Sequence, residues 1–195
     1  MKRLLISAAV AASLLAPAAA GAQAVPAAVI TVVDLEKVTT DCTACKVANN
    51  ALRAQVTAQD SREKALAAPL QTEQKAIQAL IDALKGTEPD AALRTRVRAF
   101  QTKQQQAQET ATRGRQQLQL NQQYIQQQIA AKLGPIYQQV MQRRGANVML
   151  EVGSTLATST AIEVTADVTA ALNTALPTIA TTAPAQTKPQ QPQGR

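Results

Sequence analysis

Two cysteines and a cluster of cations are the side chains of this sequence with the most chemistry in reach. Cys42 and Cys45 frame Cys42-Thr43-Ala44-Cys45 at the start of a helical pattern. A CxxC there is the spacing of dithiol redox chemistry, because a helix N-terminus stabilises a thiolate. In an oxidising compartment the same spacing also suits a plain intrachain disulfide, and idle thiols are a third reading. The chain has no His, which excludes Ser–His and Cys–His nucleophile pairs and every His-ligated zinc or haem. Two thiols cannot complete a zinc site within one subunit, although an association of subunits would pool more. The seven glycines are scattered singly, so no Gly-rich loop is available to cradle a phosphate. The expectation is a protein that is not an enzyme, with no catalytic residue, no cofactor and no metal.

The cations lie in one stretch. Residues 94–144 hold nine basic side chains and a single acid, Glu109, whereas residues 34–90 hold nine acids and seven bases. Arg94, Arg96, Arg98, Lys103, Arg113 and Arg115 are the candidate binding surface, since such a segment attracts anions over about a Debye length. The partner could be nucleic acid, anionic lipid or an acidic polypeptide. The other reading is a solvated helix face that pairs with the acidic segment.

These residues need elements to position them. Of 195 residues, 46% are apolar, but 40 are Ala and only Phe100, Tyr124 and Tyr137 are aromatic. Long helices that bury a narrow seam have this composition; a roomy enzyme core does not. Ala28–Val33 reads as a short buried strand and Asn147–Val152 as a second, with helical pattern between them. Gly86 stops one helix, and Thr87, Pro89 and Asp90 restart another, with Thr87 and Asp90 at capping-box spacing. Leu52, Val56, Glu63, Leu66, Leu70, Ile77, Ile81 and Leu84 before that turn fall mostly at 3-, 4- and 7-residue steps. Leu93, Val97, Phe100, Gln104, Ala107, Ala111, Leu118, Ile125, Ile129, Leu133, Ile136 and Val140 do so after it. Two such helices joined by a short turn make an antiparallel hairpin, 42–144 with its turn at 85–90. Its second helix would be about 80 Å long. In residues 101–128, 13 of 28 are Gln, so the seam there is poor, for a buried Gln or Ala contributes much less than the ~1.5–3 kcal/mol of a buried Leu. Pro69 and Gly134-Pro135 are expected to kink the two helices.

Residues 1–24 read as a cleaved export signal: a basic Lys2-Arg3, an apolar Leu4–Leu15, then small residues offering cleavage near Ala22 or Ala24. Export argues against nucleic acid as the partner. Residues 25–41 and 145–176 form a small β/α body, with 161–164 as a third strand and Thr165 as N-cap of a closing helix. That body is too small to bury a core alone, so self-association is expected. From 177 to 195 the chain is rich in Thr, Ala, Pro and Gln and is expected to be disordered. The fold class is thus α+β, predominantly α, with a long helical hairpin projecting from a small β oligomerisation body.

The order of these parts resembles the Skp/OmpH family of periplasmic chaperones for outer-membrane proteins. The resemblance rests on the strand entering Val32-Val33-Asp34-Leu35, the Ala/Gln/Lys hairpin, Ala146–Val152, and Ile162–Val168, which is similar to the family's Asp-Ile-Thr-x-x-Val ending. It covers residues 28–176. It implies a homotrimer in the periplasm whose arms surround a cavity for unfolded outer-membrane proteins, holding them from aggregation without ATP. Cys42 and Cys45 stand where the family usually has small residues. Locally they also look like the thioredoxin site, but no alternating βαβ pattern follows them. Two rival readings use the same hairpin: an adaptor that bridges one folded partner, and a peripheral binder held weakly on anionic lipid. The second helix lacks a continuous aromatic and aliphatic face, so lipid contact would be electrostatic.

Overall fold

The structure, a computed structural model, describes residues 25–184. The expected export signal, 1–24, and the last residues of the expected tail, 185–195, lie outside the described residues. The chain is α+β and mostly helical: β1 (Ile30–Val33), α1 (Leu35–Asp41), α2 (Thr43–Ala83), α3 (Ala91–Arg144), β2 (Val148–Glu151) and α4 (Thr165–Ala175).

β1 and β2 pair in parallel, Ile30 opposite Val148 and Val33 opposite Glu151. The whole hairpin is therefore inserted into one parallel crossover, which needs a connection longer than a turn. Thr31, Val32 and Val33 of β1 are buried, while β2 is half-buried to exposed. On the other side of β1 the expected third strand is replaced by a 3-10 turn, Thr160–Ile162, followed by a single parallel bridge from Val32 to Glu163. The β-branched residues there suited a strand, but only one ladder bond forms, Val164 N–H to the Val32 carbonyl at 2.9 Å. Thr165 does not cap its own helix. Val164 holds the N-cap position, and the Thr165 hydroxyl instead accepts the Asp34 N–H at 3.0 Å. Asp34 in turn caps α1 by accepting the Lys37 N–H at 2.8 Å.

The core sits where the hairpin meets the body. Val33, Val38, Cys42, Cys45, Leu133, Ile136, Val140, Val164, Val168 and Leu172 form it. α3 ends on Gly145 in the left-handed conformation (φ 64°), and the Ala146 N–H returns to the Met141 carbonyl at 2.9 Å. Asn147 then ties the entry of β1, its carboxamide accepting the Val29 N–H and donating to the Ala27 carbonyl, both at 2.8 Å.

α2 and α3 have 41 and 54 residues, about 60 and 80 Å at 1.5 Å per residue. Both run on through Pro69 and Pro135. At the tip Lys85 and Gly86 adopt positive φ, and Asp90 alone caps α3, accepting the Leu93 N–H at 2.7 Å. Thr87 takes no part in that cap; its N–H closes the turn onto the Leu84 carbonyl. Residues 177–184, expected to be disordered, lie against the base of the hairpin through hydrogen bonds to Gln55, Asn121 and Gln128.

Candidate functional site

The hairpin seam is mixed: its ends hold buried apolar residues, and between them half-buried Leu66, Leu70, Val97, Phe100 and Leu118 share it with inward-turned polar side chains. Ile77 and Leu93 are buried near the tip, and Ile125, Leu133 and Ile136 near the base. Val56 and Ile81, expected in the seam, are exposed. In their register Gln55 and Gln59 turn inward instead, with Gln59 6% exposed. The Gln59 carboxamide donates to Glu63 Oε1 at 3.1 Å and to the Ala111 carbonyl at 3.4 Å. Its close approach to α3 requires Gly114, where a Cβ would collide with the carboxamide.

Two guanidinium forks cross from α3 to α2. Arg96 grips Glu73 through Nε and Nη2 at 2.7 and 2.9 Å. Arg115 grips Glu63 with both Nε and Nη2, the former at 2.8 Å. Paired hydrogen bonds of this kind are the stronger form of ion pair. The Arg115 fork, helped by Gln59, holds the Glu63 carboxyl down at about 2, against an ordinary 4.5. Arg96 lowers the Glu73 carboxyl likewise.

The six cations singled out in the sequence therefore divide. Arg96 and Arg115 are struts of the hairpin, and Arg94 reaches Glu88 near the tip at 3.1 Å. Arg98, Lys103 and Arg113 have no ion-pair partner among the described residues. Lys103 borders an open groove of about 510 Å³ between the helices, with Leu66, Pro69, Glu73 and Ala107 on its walls. All six basic side chains lie on the exposed surface of α3.

Nearer the base, the seam becomes a network of carboxamides. Asn121, 4% exposed, donates to Gln55 Oε1 across the hairpin at 2.7 Å. Its own oxygen accepts from Gln117 at 2.8 Å and from the Ala183 N–H at 2.9 Å. Gln55 donates to the Thr181 carbonyl at 3.1 Å. Gln128 makes two bonds to one residue, donating to the Ala180 carbonyl at 2.8 Å and accepting the Ala180 N–H at 3.0 Å. The apolar pattern of the sequence does not single out Gln55, Gln59, Gly114 or Gln128. Polar residues recurring at seam spacing were the signal available.

Cys42 and Cys45 are joined in a disulfide. Both sulfur-bearing residues lie in the core, Cys42 0% and Cys45 2% exposed. Cys42 breaks the chain between α1 and α2 and caps α2, its sulfur accepting the Cys45 N–H at 3.2 Å. Asn173 of α4 accepts the neighbouring Thr43 N–H at 2.8 Å. The bond consumes both thiols, so in this state they neither ligate metal nor attack a substrate.

A long helical hairpin inserted into a small parallel crossover defines a class of projecting-arm proteins. The sequence matches the model of the outer membrane protein (OmpH-like) family over residues 29–172, and the chain belongs to that family. Its fold is similar to that of a Caulobacter crescentus CB15 protein described as a putative outer membrane chaperone (OmpH-like). That likeness has a TM-score of 0.68 at 20% identity and covers 85% of this chain and 95% of the other. None of the curated proteins matches.

Proposed function

We propose that this chain is a periplasmic holdase that binds unfolded outer-membrane proteins between helical arms and keeps them from aggregating, without ATP and without catalysis. The observation that carries this reading is the division of labour in the fold. The main apolar cluster sits at the base, while helices of 41 and 54 residues project from it, joined by a seam of mixed apolar and polar residues. The grooves along such an arm are open ones, and it offers a long surface to a large substrate. Many weak contacts inside a cavity then hold the client through effective concentration, and the cations of α3 speed its capture.

The cavity needs several arms, and the body supports association into a homotrimer. β2 has no partner on its outer edge among the described residues. Val29, Ile30 and Leu150 around the sheet are exposed, and Leu156 in the following loop is fully so. Open strand edges and clustered apolar side chains are ordinarily covered by another chain.

The test is dilution of a urea-unfolded outer-membrane barrel protein into buffer with and without the chain, followed by light scattering at low and moderate salt. Suppression near one trimer per client, with a folded control unaffected, supports the holdase. No suppression at several-fold excess refutes it and favours an adaptor that binds one folded partner. Native mass from static light scattering checks the trimer, which a stable folded monomer would exclude.

A further inference from the structure

The hydrogen bonds that hold residues 177–184 to the hairpin all engage the segment's main chain. Ala180 N–H, Ala180 C=O, Thr181 C=O and Ala183 N–H bond to the side-chain amides of Gln128, Gln55 and Asn121. No side chain of the segment hydrogen-bonds to the hairpin, and only Ile179 packs on the core. A Gln that both donates to and accepts from one residue imitates the neighbouring strand of a ladder.

The spacing suits an open chain outside helix or strand. Gln128 and Asn121 are one heptad apart on α3, about 10.5 Å at 1.5 Å per residue. Ala180 and Ala183, their partners, are three residues apart, which spans at most about 10 Å, with a bend at Thr182 between them. Any extended polypeptide offers the same N–H and C=O groups at the same repeat. Contacts to those groups carry no side-chain specificity.

We propose that the amide ladder Gln128–Asn121–Gln55 is a main-chain-reading site for extended, unfolded polypeptide, occupied in cis by residues 178–183 until a client displaces them. The inference rests on the holdase reading and adds a site and its regulation to it. A tethered segment competes at high effective concentration, so the tail sets a threshold. Short or folded chains fail to displace it, and long unfolded ones succeed through their additional contacts with the arm. Apparent affinity is reduced by the fraction of molecules with the site closed.

The experiment uses the full chain. Ala180→Pro with Ala183→Pro removes both tail donors without changing charge, and accessibility of 177–184 to proteinase K confirms release. Binding of fluorescein-labelled, reduced and carboxymethylated α-lactalbumin is read by anisotropy. The released variant should bind about tenfold more tightly than the wild type. Adding Gln128→Leu, or separately Gln55→Ala, to the released variant should remove that gain. Unchanged affinity on release, or a gain that survives both added substitutions, overturns the inference while leaving the holdase reading intact. Binding by none of the proteins overturns both.

Discussion

The Gln59 carboxamide occupies the space that a side chain at Gly114 would need. Gly in a helix interior ordinarily costs about 1 kcal/mol relative to Ala, so its presence in the middle of α3 calls for a reason. Placing Ala there would displace Gln59 from Glu63 and the Ala111 carbonyl, each hydrogen bond contributing about 0.5–1.5 kcal/mol. Gly114→Ala should therefore leave the protein no more stable than the wild type. In a Gln59→Ala background the same change should stabilise by about 1 kcal/mol. Urea unfolding of the double-mutant cycle measures this coupling. Equal stabilisation in both backgrounds would mean that the two residues do not contend for that space.

The forks across the seam make the hairpin sensitive to acid. Arg115 holds the Glu63 carboxyl at about 2, below its ordinary 4.5, so the unfolded chain takes up this proton first as pH falls. The contribution of the strut is complete above about pH 4.5 and is lost as the pH falls towards 2. Glu73 adds a loss of the same sign. Glu63→Gln should lower the melting temperature near pH 6, and its deficit should shrink on acidification. Parallel melting curves for wild type and variant from pH 6 to 2.5 would show that the pair adds nothing.

Cys42 serves the fold in two ways, through its bond to Cys45 and through its sulfur as the cap of α2. Closing so short a loop restricts the unfolded chain by roughly 2 kcal/mol. Cys42→Ser should lose the disulfide while keeping an oxygen to cap the helix. Cys42→Ala should cost about 1 kcal/mol more. Thermal melts of the two variants check the difference. Insulin reduction by the wild type should be absent, since the sulfurs are buried. Turnover that disappears in Cys42→Ser would reassign the pair to redox chemistry.

Local signals made the hairpin legible. The 3- and 4-residue steps, Gly86 and Asp90 point to two long helices with a turn between them, because each depends on neighbours in sequence, and two long helices are present. The rest depended on partners far away. Ile162 to Val164 have strand composition, but whether they ladder depends on how much of β1 remains open. Thr165 is a capping residue by type, yet Asp34, more than a hundred residues earlier, supplies its partner. Val56 matched the apolar pattern but points outward, since crossing polar pairs set the local register of α2. Residues 177–184 have no periodicity of their own. Their order comes from carboxamides on α2 and α3, and no reading confined to the tail could find it. Among the six cations, charge alone could not separate the struts Arg96 and Arg115 from Arg98, Lys103 and Arg113.

That separation supplies the sharpest test of the basic surface. Arg96 and Arg115 spend their hydrogen bonds on Glu73 and Glu63, and Arg94 is largely neutralised by exposed Glu88, a pair of the kind that contributes little to stability. Arg98, Lys103 and Arg113 have no ion-pair partner among the described residues, and on the proposed function theirs is the charge that would steer an approaching anionic chain. Replacing these three with Gln should slow capture of a labelled, unfolded outer-membrane protein by about tenfold at low salt and flatten its dependence on ionic strength. The melting temperature should hardly move. Replacing Arg96 and Arg115 should instead lower the melting temperature, with a smaller effect on capture for each charge removed. Stopped-flow fluorescence at two salt concentrations, beside thermal melts, resolves both effects. If the first set leaves capture unchanged, the free cations are a solvated face, and client affinity must come from the amide and apolar surfaces of the arm.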